Sequence, residues 1–253
     1  MIWIYRTAAS DGARALVDAL EAVGGRRLRE LTPRTMRRIK AGDAVVCWGA
    51  TVYQTIPGIK IINNTSLKRK WTDIGILTAA GIRTMTAAQE QPEAPSGTVW
   101  LPRMNNHVGG NDLLTPPARP DFWVRKENIV REFRVHSFLG RSIRAAVKVV
   151  RDGMKMGGAV GDMDDPRPAC HPWIRSWDGG WRLSYADGAV KQAHRNIAHA
   201  AVKALGLDFG AVDIGQLADR TLLVLEVNRA PGIEAGTIEA YAKAVRLWVE
   251  EGR

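Results

Sequence analysis

The sequence predicts an α/β fold: a small parallel α/β layer followed by a larger α+β region. Three observations carry that expectation. Over about the first 88 residues, short apolar runs alternate with amphipathic helices, the order that parallel strands with crossover helices require. At residues 88–97 the stretch Ala-Gln-Glu-Gln-Pro-Glu-Ala-Pro-Ser-Gly interrupts this order and reads as a linker. Beyond it, longer strand-like runs meet through short polar turns, as in antiparallel sheet. The expected division is 1–88 and 89–253. The second part is split again into about 98–138 and about 139–253.

Ile2–Tyr5 is read as the first strand. A helix begins at Asp11, carries Ala15, Leu16, Ala19, Leu20 and Val23 on one side, and stops at Gly24-Gly25. Ala44–Trp48 and Lys60–Ile62 are the next strands. Ser66 is placed to cap a helix running through Lys70 and Ile74 to Gly81. After the linker come strands at Thr98–Leu101, Phe122–Lys126, Glu132–Phe138 and Ser142–Val150, the last two joined by Leu139-Gly140-Arg141. Residues 152–172 hold few core residues and read as a long mobile loop, of a length that points to function. Trp173, Trp177 and Trp181 would pin that loop. A helix over Ala189–Leu205, a hairpin, and a helix over Thr237–Glu250 complete the chain.

Composition narrows the function classes. No apolar run approaches the roughly 18 residues of a membrane span. The opening segment Met1–Arg6 reads as a strand and not as a signal peptide, so the expected location is the cytoplasm. Two cysteines, Cys47 in an apolar run and Cys170 in a Pro-rich one, exclude a disulfide framework and a cysteine-based metal site. The net charge of +10 is uneven, because residues 1–90 hold 14 Lys and Arg against 7 Asp and Glu. The densest cluster is Arg26, Arg27, Arg29, Arg34, Arg37, Arg38 and Lys40, opposed by Glu30. It reads either as a solvated helix face or as an attractor for an anionic partner such as nucleic acid.

The stretch Gly210–Asn228 carries the chemistry. Two apolar runs flank Ala218-Asp219-Arg220-Thr221, and a tight turn at Asp219-Arg220 sets Leu217 opposite Leu222 and Asp213 opposite Glu226. Alternation then sends Val212, Ile214, Leu223, Leu225 and Val227 to a core, and Asp213, Glu226 and Asn228 to the other face. Like charges directly opposite each other destabilise a sheet. A hard divalent cation held by carboxylate and amide oxygens offsets that repulsion. Mg²⁺ suits best, since it commonly shares one or two carboxylates with substrate phosphates. A one-residue slip would part the two acids onto opposite faces. Solvation on an open sheet is the competing account of the pair.

Asp213 with Glu226-Val-Asn-Arg-Ala-Pro-Gly232 resembles the metal-binding signature of the ATP-grasp superfamily of ligases. Further segments are similar to the pattern of phage-encoded ATP-grasp proteins. They are Glu132-Phe-Arg-Val-His136, Lys148, Ile174-Arg175 with Gly180-Trp181, and Leu207-Asp-Phe-Gly-Ala-Val-Asp213. The resemblance spans about residues 60–253. It implies two α+β subdomains gripping ATP, preceded by a small Rossmann-like α/β domain. It also implies that Asp213, Glu226 and Asn228 hold Mg²⁺, or Mn²⁺, between ATP phosphates. Glu132 matches the acid that binds the ribose hydroxyls, and Arg125 and Lys126 fall in the hinge strand beside adenine. Lys70 matches the first nucleotide-binding lysine, with Lys68 as the competing choice. Arg103 stands where most of the superfamily has a second phosphate-binding lysine, which changes a point charge to a planar fork. The loop containing His107, Gly109 and Gly110 would fold over the phosphates. Lys148 and Arg175 would stabilise the transferred phosphoryl group. Some relatives carry an arginine two residues before the metal-binding Asp for the acyl-transfer oxyanion. Here that residue is Ala211, so either Arg175 or Arg229 supplies the charge or the acyl-transfer step is arranged differently. Arg134 and His136 alternate along their strand, and His136 is read as structural.

The resemblance implies a carboxylate–amine ligase acting through an acyl phosphate, with small-molecule or peptide substrates and a homo-oligomeric state like that of many relatives. A modifier of a nucleic-acid-linked or other anionic acceptor is the second reading, motivated by the Arg26–Lys40 cluster. A non-catalytic virion-associated protein is the third. If the chain is phage-encoded, the expected location becomes the host cytoplasm.

Overall fold

The first apolar run forms strand β1 (Ile2–Tyr5). In the computed structural model, residues 1–6, 10–22, 28–31, 34, 36–52, 57–66, 69–93, 96–105, 119–156, 167–172, 174–185 and 188–251 are described. There β1 is an inner strand of a four-stranded parallel sheet with β2 (Leu28–Leu31), β3 (Ala44–Cys47) and β4 (Lys60–Ile62), in the order β2-β1-β3-β4. Strand β2 was not foreseen. It lies inside the basic cluster, and Met36–Arg38 forms a 3-10 turn, so the described part of that cluster is not an α-helical face; Arg26 and Arg27 lie outside the described residues. Successive residues of β1 serve opposite faces. Ile2 and Ile4 join one apolar cluster, while Trp3 and Tyr5 join another with Val45 and Cys47. A parallel sheet covered on both faces explains why these strands read as unbroken apolar runs.

Helix α1 (Asp11–Ala22) starts where Ser10 Oγ accepts the Ala13 amide at 3.2 Å. Helix α2 (Lys70–Ala79) begins after Arg69, which has no side-chain cap, so Ser66 does not cap it. Gly81, at φ +71°, supplies the left-handed residue that ends α2, as expected. Strands β5 (Ala87–Ala88), β6 (Trp100–Arg103) and β7 (Phe122–Arg125) form a small antiparallel sheet in the order β5-β7-β6.

The largest sheet has five antiparallel strands. They are β8 (Ile129–Phe138), β9 (Arg141–Val150), β12 (Trp181–Ser184), β13 (Phe209–Leu217) and β14 (Leu222–Asn228), in the order β12-β9-β8-β13-β14. The stretch read as a loop over 152–172 contains a short parallel pair, β10 (Lys155–Met156) and β11 (Ala169–Cys170). Residues 157–166 lie outside the described residues, as does Trp173. Trp181 does anchor this region, buried with its indole N–H on the His171 carbonyl at 2.8 Å. Trp177 is 63% exposed and stacks against Arg151, at the start of that loop.

Helix α3 (Gln192–Ala204) covers one face of the five-stranded sheet. Its Ala198, Ala201 and Val202 pack with Phe133, Val135, Val212, Ile214, Val224 and Val227. The opposite face carries the polar residues considered below. Helix α4 (Ala235–Glu251) returns to the first sheet. Its Tyr241, Ala242, Val245, Trp248 and Val249 share a cluster with Ile2, Ile4, Leu16, Leu20 and Val46. Each large apolar side chain so buried contributes about 1.5–3 kcal/mol before chain entropy is counted. Asn63 ties the first sheet to the largest one. In the left-handed region at φ 60°, it accepts the amides of Asp208 and Phe209 at 3.0 and 3.2 Å. Its own amide donates to Asp208 Oδ2 at 2.5 Å. Trp48, Phe209 and Tyr241 pack beside this clip with ring centroids 5.2–5.8 Å apart. Among the described residues, no helix is long and apolar enough to cross a membrane.

Candidate active site

The hairpin β13–β14 brings Asp213 opposite Glu226, as the sequence predicts, but by a different route. The turn holds three residues, not two. Arg220 sits in the left-handed region at φ 68°, and the Leu217 amide reaches the Thr221 carbonyl at 2.9 Å. Near the turn Gln216 therefore faces Leu222, one residue off the predicted register. A register shift between Asp213 and Ile214 restores the pairing where it matters, because Val224 and Glu226 face adjacent residues and Leu225 is left over. This β-bulge also corrects the core assignment. Val224 is buried beneath α3, while Leu225 lines the cavity with Glu226.

On the neighbouring strand β8, Phe133 and Val135 point to α3, so Glu132, Arg134 and His136 point the other way. The register sets Asp213 against Arg134 on β8, and Arg134 against Ala146 on β9. Lys148, two residues further along β9, lies on the same face. The result is one polar sheet surface facing the small sheet β5-β7-β6 across a cavity of about 510 Å³. Arg103, Arg125, Lys126, Glu132, Lys148, Arg175, Asp213, Glu226 and Asn228 all line it, together with Arg134.

Arg134 grips both oxygens of Asp213, Nε to Oδ1 at 2.6 Å and Nη2 to Oδ2 at 2.8 Å. Lys148 donates to Glu132 and lies 3.8 Å from Asp213 Oδ2. Burial alone would raise the Asp213 carboxyl, but the Arg134 guanidinium and Lys148 hold it at about 2. Burial wins at Glu132, whose carboxyl is raised above the usual range despite Lys148. Arg175 donates to the Ile129 carbonyl at 2.8 Å and stacks on Trp181.

The remaining sequence-assigned residues are placed as follows. Lys70 is 7% exposed, with its ammonium 3.7 Å from Glu226, and it makes no hydrogen bond to a described residue. A buried ammonium in that position suits an anion arriving from the cavity side. Arg103 is also buried, and it lines both the main cavity and a small one beside Lys70. Arg125 is exposed and bonds Glu127 at 2.9 Å. The main-chain amides of Arg125 and Lys126 are taken up by Thr86 and Val99. Arg229 is turned away from the main cavity and buried against Asp73 on α2 at 2.6 Å. Of the two arginines considered for the oxyanion, Arg175 alone lines the cavity. Lys68, His107, Gly109 and Gly110 lie outside the described residues.

The donor set fits a hard divalent cation. Asp213, Glu226 and Asn228 offer carboxylate and amide oxygens on one face of one hairpin. Among the described residues, no three His, Cys, Asp or Glu side chains are grouped to hold a metal. The protein ligands would therefore share the ion with substrate oxygens, which is the habit of Mg²⁺ more than of Zn²⁺ or Ca²⁺.

Arg134 is the residue that sequence reasoning missed. The signal was present: Glu132, Arg134 and His136 alternate with Phe133 and Val135, so all three must share a face. What was absent was the identity of the strand paired to β13. His136 is structural as read, buried with Nδ1 3.2 Å from the Tyr241 hydroxyl.

No family model and no curated protein matches this chain. Solved structures do. The ATP-grasp ligase PsnB complexed with minimal precursor, Mg and ADP superposes with a TM-score of 0.62 at 14% identity, covering 98% of this chain and 97% of that one. D-alanine–D-alanine ligase from Bacillus anthracis gives 0.63 at 15% identity, covering 98% and 96%. The D-cycloserine synthetase DcsG gives 0.55 at 19% identity, covering 97% and 99%. The architecture assembled above, two sheets enclosing a charged cavity behind a parallel α/β layer, is the ATP-grasp fold.

Proposed function

We propose that the chain is an ATP-dependent ligase that joins a carboxylate to an amine through an acyl phosphate. The observation that carries this reading is the meeting of Asp213, Glu226 and Asn228 across one hairpin, in a cavity also lined by Lys148, Arg175 and Arg103. Oxygen donors for a cation, beside fixed positive charge, are what an in-line phosphoryl transfer requires. The substrate carboxylate attacks the γ-phosphorus and ADP leaves. The amine then attacks the acyl carbon, inorganic phosphate leaves, and the nitrogen gives up a proton. When bound, Mg²⁺ would neutralise phosphate oxygens at Asp213, Glu226 and Asn228. Lys148 and Arg175 offset charge on the transferred group, and Lys70 and Arg103 hold the remaining phosphates. Glu132 takes the ribose hydroxyls, and the main chain at Arg125–Lys126 faces the base. The small sheet and the five-stranded sheet are the two jaws. The PsnB and D-alanine–D-alanine ligase likenesses favour a peptide or amino acid as carboxylate donor or amine.

An ADP-release screen against pooled amino acids, peptides and polyamines, with products identified by mass spectrometry, tests the reading. Substrate-dependent ADP release is expected from the wild type and none from Glu226→Ala. Equal release from both would overturn the assignment. A second reading has an anionic polymer as acceptor, favoured by the exposed Arg34, Arg37, Arg38 and Lys40 beside the first sheet. DNA binding that weakens steeply with salt, and is lost when Arg34, Arg37 and Arg38 are neutralised, would support it. Absent or salt-insensitive binding would eliminate it.

A further inference from the structure

We propose that Arg134 occupies the metal's place on Asp213, so that a divalent cation loads only when an anion arrives to receive the displaced guanidinium. The inference rests on the reading of Asp213 as a metal ligand. Its observation is separate, since it comes from the neighbouring strand.

Arg134 and Asp213 are register partners on β8 and β13. The planar fork of the guanidinium meets both carboxylate oxygens at 2.6 and 2.8 Å, a bidentate geometry that commits each oxygen to an N–H. A cation bound to either oxygen would sit against a fixed positive charge. The pair is enclosed, with the Arg134 side chain 20% exposed and that of Asp213 10%. Water therefore screens little of that repulsion, and a guanidinium driven off Asp213 must find another anion.

The surrounding acids cannot readily serve. Glu132 already receives Lys148. Glu226 lies beside the buried Lys70 and is itself one of the three cation ligands. Of the other acids lining the cavity, Glu127 is bonded to Arg125 and Glu234 stands exposed to solvent. Lys148 adjoins Asp213 from β9, and His136, two residues along β8, is held neutral by burial and by Arg134 itself. A polyphosphate entering the cavity supplies what the protein lacks. Its oxygens take the guanidinium while Asp213 turns to the cation. Metal and nucleotide uptake are thus coupled through one side chain. Arg134 on Asp213 and Lys70 beside Glu226 offset the repulsion between the two acids.

The test is titration with Mn²⁺ in the absence of nucleotide, with free ion read by electron paramagnetic resonance. Wild type, Arg134→Met and Arg134→Lys are compared. Arg134→Met is expected to bind one equivalent at least tenfold more tightly than wild type, and adding Asp213→Asn should abolish the gain. Arg134→Lys, which keeps the charge and loses the fork, should gain less than Arg134→Met. Wild-type affinity in Arg134→Met would overturn the proposal, as would a gain that survives Asp213→Asn. A measurement on the wild type covers the case in which a variant does not fold. In ¹⁵N-arginine-labelled protein, the Arg134 Nε–H resonance should stay in place with Mg²⁺ alone and shift with Mg²⁺ plus ADP. A shift with Mg²⁺ alone, or none with both, would overturn the proposal. Absence of any nucleotide binding by the wild type, in a separate calorimetric titration, would instead mark failure of the ligase reading on which this rests.

Discussion

His136 should make the protein lose stability as the pH falls below about 6.5. The side chain is 1% exposed, and burial with the nearby Arg134 charge pushes its pKa down to about 3. In the unfolded chain it titrates near 6.5. The unfolded state therefore binds a proton first, and stability falls as pH drops from about 6.5 toward 3. The slope is a little over 1 kcal/mol per pH unit, so about 2–3 kcal/mol is lost between pH 6.5 and 4.5. His136→Gln removes the group and keeps a side chain able to bond the Tyr241 hydroxyl. Urea unfolding followed by tryptophan fluorescence at pH 7, 6, 5 and 4.5 would measure the difference. Wild type and variant should diverge in slope by nearly one proton over that range. The comparison cancels His171, His194 and His199, whose pKa values are also lowered by burial. Parallel pH profiles for the two proteins would refute the reasoning.

Three further outcomes are expected. Asn63→Ala removes the acceptor of two amides and a residue tolerant of left-handed backbone, so chemical denaturation should show a loss of about 2–3 kcal/mol. Arg220→Gly relieves a left-handed arginine in the hairpin turn and should add about 0.5–1 kcal/mol in the same assay, with the register at Asp213 unchanged. Asn228→Ala should lower ATP turnover by at least tenfold while leaving the urea midpoint within about 0.5 kcal/mol of wild type, as for a partly exposed side chain. Retained turnover would remove Asn228 from the cation's ligand set.

Much of the architecture was legible where apolar pattern and turn chemistry agree. β1, β3, β4, β8, β9, α1, α3 and the final hairpin follow from such signals. What escaped was set by partners distant in sequence. Leu28–Leu31 is too short, and too crowded by arginines, to read as a strand until β1 is known to need a neighbour. Ser66 has the chemistry of a cap, but α2 begins past Arg69. The hairpin is the most instructive case. The predicted turn lacked a residue, the strand lacked a bulge, and the two errors cancelled at Asp213 and Glu226. They did not cancel at Leu225, which therefore went to the wrong face. Arg134 was passed over because its role exists only through the β8–β13 pairing, which neither strand encodes alone.

The return of α4 to the opening sheet bears on how the chain is made. Ile2, Ile4, Leu16 and Val46 leave the ribosome well before part of their cover, which is Tyr241, Val245 and Trp248. Until α4 emerges, that apolar layer lacks this cover. Completion of the first sheet's core thus waits until the Asn63 clip and α4 can engage together.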